Sequence, residues 1–306
     1  MYDIIIVGAG PAGLTAAIYA ARGRKKILVL EAKTYGGQIV NATDIENYPC
    51  EEHISGFDFA TKLYNQVKSL GVEIKFEKVI DISNNTDYKE VTTSKETYKT
   101  KTIILATGAD NRKLGIDNET ELIGKGVSYC ATCDGAFYKG KDVAVVGGGN
   151  TALEEAIYLS GISKTVYLIH RRDTFKAEEK LIEEVKKLDN VNLIMNSNVT
   201  KLNTDSNGLL ESIDVKDKDD EISNFKVSGI FIAVGRIPEN ENFSKIIDID
   251  SNGYIIAGED CKTNIDGIFV AGDNRKKSLR QLVTATSDGA IAATNAITYI
   301  RNKKAE

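Results

Sequence analysis

One pattern occurs twice in this chain, and the two copies stand in register. Residues 2–22, YDIIIVGAGPAGLTAAIYAAR, run from a short apolar stretch into GxGxxG at Gly8, Gly10 and Gly13, with Pro11 between, then into an alanine-rich segment that predicts a helix from about Ala12 to Arg22. The next apolar run, KKILVLE, ends at Glu31, 23 positions after Gly8. Strand, glycine turn, helix, strand and terminal acid together form the βαβ dinucleotide fingerprint. Glycines there allow a tight turn and close backbone approach to a pyrophosphate held at a helix N-terminus. The pattern returns at KDVAVVGGGNTALEEAIYLSG, with Gly147, Gly149 and Ala152 in the small-residue positions and Asn150 and Thr151 opening the helix. The strand KTVYLIH follows, and His170 stands 23 positions after Gly147, where Glu31 stands in the first copy. Each copy closes with a similar strand and turn, IILATGA through Ala109 and IFIAVGR through Arg236. A lone copy reads equally well as an ordinary glycine turn; two in register predict an α/β chain with two Rossmann-like, dinucleotide-binding domains.

The stretch after about Asn242 is too short for a domain of its own and is expected to complete the first. The predicted boundaries are therefore 1–111 with 242–306 for a discontinuous first domain, and 112–241 for a domain inserted into it. The returning segment holds GIFVAGD, a strand ending at Gly272 and Asp273, and a predicted helix from about Leu279 to Ile300. Asp273 reads either as a cap for that helix or as a strand-end residue facing a cofactor.

The matched position separates the two nucleotides. A carboxylate at Glu31 accepts hydrogen bonds from ribose hydroxyls and repels a 2′-phosphate, so the first site suits a nucleotide without that phosphate. The second offers HRRDTFKAEEK, in which Arg171, Arg172 and Lys176 are cations, and arginine forks match phosphate oxygens. The plain alternative is a solvated charged loop leading into the amphipathic stretch EEKLIEEVKKL. The shared register favours 2′-phosphate recognition, hence NADP.

Composition removes several classes of function. With 39 basic and 44 acidic residues the formal net charge is −5, which gives no broad cationic field for nucleic acid or an anionic membrane. The apolar runs have strand length, short of the roughly 20 residues of a spanning helix, and the N-terminus lacks a basic region ahead of an apolar one. A cytoplasmic enzyme is the expectation.

Four cysteines are too few for a disulfide framework in 306 residues, and Cys50 and Cys261 lie far from the pair in YCATCDG. Zinc needs about four ligands, and the remaining cysteines and the two histidines, His53 and His170, form no spaced set. A static staple across so short a loop restricts the unfolded chain little. A cycling dithiol at Cys130 and Cys133 remains. A nicotinamide delivers a hydride whereas thiols exchange through thiolates, so a relay is required, and a flavin in the first site supplies it. Asp134 reads as a turn or capping residue, or as the group that exchanges a proton with a nascent thiolate or flavin.

These residues resemble the low-molecular-weight, bacterial-type thioredoxin reductases over nearly the whole chain. The likeness is carried by GAGPAG at 8–13, GGQ at 36–38, IENYP at 45–49, ATGA at 106–109, CATCDG at 130–135, GGGNTALEEA at 147–156, HRRDTFKA at 170–177, and GIFVAGD followed by LRQLVTA. The resemblance implies FAD in the discontinuous domain, NADPH in the inserted one, thioredoxin as protein substrate, and a homodimer. It implies FAD contacts from Glu31, Gly36, Gly37, Gln38, Asn47, Ala109, Gly272, Asp273, Arg280, Gln281 and Leu282, and gives the 2′-phosphate to Arg171, Arg172 and Lys176. It also implies that Cys133 faces the flavin, that Cys130 attacks the substrate disulfide, that Asp134 handles protons, and that the domains rotate about hinges near residues 109–112 and 235–239. A reductase fed by ferredoxin would lack the basic cluster, and a redox sensor would hold FAD without turnover. Lys176 stands where the family often has arginine, and Asn274 where an apolar residue is commoner.

Overall fold

The computed structural model describes residues 1–42 and 44–303, and the chain clusters into two units. One comprises Met1–Val40, Ile45–Asp110 and Ile237–Glu306; the other comprises Asn41–Asp44 and Asn111–Arg236. Each fingerprint lies in its own unit, on the central strand of a mainly parallel sheet.

In the first unit β1 (Tyr2–Val7) leads into helix α1 (Pro11–Arg22), β2 (Ile27–Glu31), α2 (Gly56–Ser69), β3 (Glu73–Phe76), and then β4 (Val79–Asn84), β5 (Lys89–Thr93) and β6 (Thr97–Leu105). The sheet order is β3-β2-β1-β6-β5-β4, with β1 parallel to both β2 and β6. Strand order reverses at β1, so the loop leaving its carboxyl end opens at the place where α/β sheets bind ligands. Ile4, Ile5 and Ile6 are all fully buried because both faces of the sheet are covered. Ile4 and Ile6 pack with the alanines of α1, while Ile5 and Val7 join Leu28, Leu30, Ile103 and Leu105 on the opposite face. The uninterrupted apolar run of IIIV is thus the expected pattern for a central strand.

The chain leaves through β7 (Ala109–Asn111). The second unit contains β8 (Val127–Ser128), α3 (Ala131–Asp134), β9 (Asp142–Gly147), α4 (Asn150–Ser160), β10 (Thr165–Ile169), α5 (Glu179–Lys186), β11 (Val191–Ile194), β12 (Asn198–Thr204), β13 (Leu210–Lys216), β14 (Ile222–Lys226) and β15 (Gly229–Ala233). Its parallel sheet has the order β11-β10-β9-β15-β8, again with the fingerprint strand at the reversal, and β12, β13 and β14 form a separate antiparallel sheet.

The chain returns through β16 (Arg236–Pro238). Strand β17 (Ile268–Val270) then pairs in parallel with β6, and α6 (Leu282–Asn302) completes the first unit. Alanines 16, 17 and 20 of α1 and alanines 292, 293 and 296 of α6 are fully buried in one cluster. The contact is close enough that a Cβ on Gly289 would fall 2.2 Å from the Ala12 carbonyl oxygen. Small side chains on both helices are what permit that approach. Helix α6 begins at Leu282, three residues later than its apolar pattern suggests, because Gln281 closes a capping box with Thr284 and leaves Ser278–Arg280 as loop. Gln281, not Asp273, therefore caps this helix. Among the described residues no helix is long and apolar enough to cross a membrane.

Candidate active site

In the first unit the fingerprint glycines have different tasks. Gly8 has φ of 109°, and a Cβ there would lie 2.2 Å from the Ala106 carbonyl oxygen, so backbone and space both demand glycine. Gly10 is in ordinary extended backbone, and a Cβ there would meet nothing nearer than the Gly37 Cα at 3.9 Å. Nothing in the fold itself excludes a side chain at Gly10, and glycine there leaves open the space that a pyrophosphate takes in this motif. No side chain caps α1 at Gly10, and no acid lies in its first turn, so its free N–H groups suit an anion. These features fit a dinucleotide pyrophosphate.

The other expected residues of that unit gather around this loop. The Gly36 N–H donates to the Ala9 carbonyl at 2.8 Å, which draws Gly36 and Gly37 onto the fingerprint. Glu31 accepts from the Ala9 N–H at 2.7 Å and the Lys33 N–H at 2.8 Å, so its carboxylate braces the loop as well as marking the strand end. Asn47 Nδ2 donates to Gln281 Oε1 at 3.3 Å, joining two segments 234 positions apart. The Arg280 guanidinium lies 4.1 Å from the centre of the Tyr254 ring and donates to the carbonyls of Asp273 at 3.4 Å and Arg275 at 3.3 Å. Gln38 donates to Asp110, and Ala109 and Leu282 are buried.

Beneath the Gly272–Asp273 turn lies a buried cluster that pattern reading had not singled out. Asp288, on α6, accepts from Arg275 Nε and Nη2 and from Lys277 Nζ, each at 2.8 Å, and from the Gly272 N–H at 2.9 Å. Burial pushes its pKa up, but the hydrogen bonds from Arg275 and Lys277 outweigh that and hold the carboxyl below the usual range. Its sequence signal is the one acid among the 21 residues of α6, next to Gly289 on the small-residue face.

The second unit repeats the loop geometry. A Cβ on Gly147 would lie 2.4 Å from the Ala233 carbonyl oxygen, whereas one on Gly149 would approach only the Lys176 carbonyl oxygen, at 3.8 Å. Helix α4, like α1, has no side-chain cap. His170 is not displayed with the cations: it is 8% exposed, its ring lies so close to Gly148 that a Cβ there would overlap it at 2.1 Å, and Nε2 pairs with the Thr174 carbonyl at 3.1 Å. Burial, with Arg172 and Arg171 nearby, pushes its pKa down and keeps it neutral. Asn150 is likewise engaged, its Nδ2 donating to Glu178 Oε1 at 3.0 Å and its Oδ1 accepting from the Glu178 N–H at 2.9 Å. Arg171, Arg172, Lys176 and Thr151 are exposed. The Lys176 N–H donates to the Gly148 carbonyl at 2.7 Å, which pins the basic segment beside the glycine loop. Such exposed cations beside an uncapped helix fit a phosphorylated dinucleotide.

Cys130 and Cys133 form a disulfide, with Cα atoms 5.3 Å apart, at the single-turn helix α3. Both are half-buried. Ser128, which no motif singled out, ties the two ends of the segment together: its Oγ accepts from the Cys130 N–H at 3.1 Å and donates to Asp134 Oδ2 at 2.6 Å. The side chain of Asp134 caps neither its own helix nor the following 3₁₀ turn. Its Oδ1 is buried with no hydrogen-bond partner among the described residues. Burial raises its pKa, against the opposing pull of Ser128. A carboxyl kept from water beside a disulfide is equipped to hold a proton and give it up. Ahead of the pair, the buried Glu119 accepts from the N–H groups of Leu114 and Gly115 and from the Tyr129 hydroxyl, at 2.7–2.9 Å, and so steadies the approach to Cys130.

Comparison with known proteins agrees with this chemistry. Residues 2–289 match the family model described as pyridine nucleotide-disulphide oxidoreductase. The chain is 43% identical to a thioredoxin reductase of Listeria monocytogenes over 304 residues, covering 99% of this chain and 95% of the relative. It is 40% identical to one of Bacillus subtilis over 301 residues, covering 98% and 95%. A crystal structure of thioredoxin reductase from Streptococcus pyogenes superposes with a TM-score of 0.94 at 41% identity, covering 99% of each chain. Two glycine-fingerprint sheets and a CxxC disulfide on one polypeptide thus have a family: the chain belongs to the pyridine nucleotide-disulphide oxidoreductases and, within them, to the thioredoxin reductases.

Proposed function

We propose that this chain catalyses the NADPH-dependent reduction of the disulfide of thioredoxin, with FAD as its flavin and Cys130 and Cys133 as the thiol couple. The observation that carries the reading is the closed Cys130–Cys133 disulfide beside a desolvated Asp134 whose Oδ1 is left without a partner. FAD belongs to the first unit, held by the Gly8–Gly13 loop, Glu31, Gly36, Gly37, Gln38, Asn47, Ala109, Gly272, Asp273 and Arg280–Leu282; NADPH belongs to the second, held by the Gly147–Thr151 loop, Arg171, Arg172 and Lys176. When bound, NADPH supplies a hydride and FAD converts it into electrons that sulfur can accept.

What the chain's own residues do follows from thiol chemistry. Once the pair is reduced, the Cys130 thiolate attacks one sulfur of the substrate disulfide; a mixed disulfide forms, the substrate S–S bond breaks, and the departing sulfur takes a proton. Cys133 then attacks the Cys130 sulfur, which reforms the internal disulfide and frees the second substrate thiol. Asp134 exchanges the protons, and its burial raises its pKa so that the neutral acid persists above the usual carboxylate range. Ser128 holds that carboxyl in place, as His170 and Asn150 hold the NADPH loop. A homodimer and a cytoplasmic location accompany this reading.

Mixing the flavin-loaded protein with NADPH and oxidised thioredoxin is expected to consume NADPH and release free thiols in equal two-electron amounts. Cys133→Ser should abolish turnover; full activity in that variant would sink the proposal.

A further inference from the structure

The motif GGGNTALEEA contains two acids that neither cofactor binding nor disulfide exchange uses, and the first, Glu154, is exposed. Glu155, on α4, turns inward toward the redox segment: its Oε1 accepts from the Ala131 N–H at 3.3 Å, and its Oε2 is buried with no hydrogen-bond partner among the described residues. Ala131 follows Cys130 directly and opens the helix on which Cys133 lies. A carboxyl with one oxygen on the CxxC backbone and the other unsatisfied is costly unless it carries a proton.

We propose that Glu155 is a positioning residue of the Cys130–Cys133 couple, anchoring the first turn of the CxxC helix through the Ala131 N–H and shifting the redox equilibrium of the pair according to whether it holds a proton. The proposal rests on the dithiol–disulfide reading above. Burial is the chief cause that raises the Glu155 pKa, to about 7; Asp134 and the adjacent Glu154 push the same way, and the Ala131 N–H and Arg236 oppose them. Glu155 is thus neutral below neutral pH and anionic above it.

Full reduction breaks the Cys130–Cys133 bond, takes two electrons and two protons, and leaves two thiols. When one sulfur stays as thiolate, only one proton is taken up and a negative charge appears at the helix that Glu155 touches. An anionic Glu155 opposes that charge and a neutral one does not. The couple is therefore harder to reduce above pH 7 than its thiols alone would dictate. Glutamine keeps an acceptor for Ala131 while removing the titration, which separates this role from simple bracing.

The test uses the flavin-loaded protein in thiol–disulfide buffers from pH 5.5 to 9, with rapid alkylation and peptide mass analysis to count reduced Cys130 and Cys133. Glu155→Gln should match the wild type at acid pH and favour the dithiol about three- to tenfold more than wild type above pH 8, a shift of about 15–30 mV at roughly 30 mV per decade. Superimposable curves, or a constant offset at every pH, would overturn the inference while leaving the enzyme's function intact. Failure of the pair to reduce reversibly in the wild type would overturn both. Should the variant not fold, infrared carboxyl titration of the oxidised and reduced wild type replaces it: a Glu155 midpoint that moves with redox state supports the role, and an unmoved one refutes it.

Discussion

Removing the charge of Asp288 tests whether the buried cluster under the Gly272–Asp273 turn holds the flavin-side loop in shape. Asp288→Asn keeps the size of the side chain but takes the counter-ion from Arg275 and Lys277, whose side chains are 2% and 4% exposed. Among the described residues, the other carboxylate beside Arg275 is Glu259 at 3.6 Å, itself 90% exposed and so poorly placed to compensate. Breaking a buried pair in this way costs about 3–5 kcal/mol. At roughly 2–4 °C per kcal/mol for a unit of this size, the melting temperature should fall by about 6–20 °C. Flavin should be released more readily too, because the Gly272 N–H loses its charged acceptor. Thermal melts of the flavin-loaded protein, followed by circular dichroism and by flavin fluorescence, read both effects. The pH dependence has a definite sign. Because the pKa of Asp288 is depressed in the folded protein, its contribution is fully present above the ordinary carboxylate range and is lost as pH falls through the depressed value. The gap between wild type and variant should therefore be wide at pH 7 and shrink at acid pH. A variant that melts within about 2 °C of wild type at pH 7 and keeps its flavin would refute the argument.

If the Asp134 carboxyl exchanges protons as proposed, Asp134→Asn should slow turnover about 10²–10⁴-fold. In the wild type the pH–rate limb that reports this carboxyl should lie above the usual carboxylate range, as burial dictates; a stopped-flow profile in which that limb survives in the variant would count against its role. Replacing Arg171 and Arg172 together by alanine should raise KM for NADPH about tenfold or more, since charge-assisted hydrogen bonds contribute about 1.5–3 kcal/mol each before solvent screening. KM for NADH should barely move, and steady-state kinetics with both donors measures the difference.

Residues close together in the chain announce themselves. GAGPAG and GGGNTA were legible because turn, strand and helix within a βαβ unit are local and each glycine has a steric reason visible in the motif. CATCDG was legible because two sulfurs two residues apart admit few chemistries. The apolar IIIV was legible as a strand, and the fold covers both its faces. What stayed hidden depends on pairs that only folding brings together. Glu155 meets Ala131 from 24 positions away, and Asp288 reaches Gly272 across 16. Asn47 meets Gln281 across 234.

Spacing also does not reveal which way a side chain points. His170 occupies the place that corresponds to Glu31, yet its ring packs inward against Gly148, while Arg171, Arg172 and Lys176 stay exposed. Asp134 had the sequence of a capping residue, but Ser128 claims one of its oxygens and burial strands the other. The amino-acid sequence alone determined the repeated fold, the kinds of nucleotide and the redox pair, because those follow from backbone sterics and charge over short spans. Tertiary structure decided which carboxyls are desolvated and which cations are exposed, because solvation depends on every segment that packs around a group.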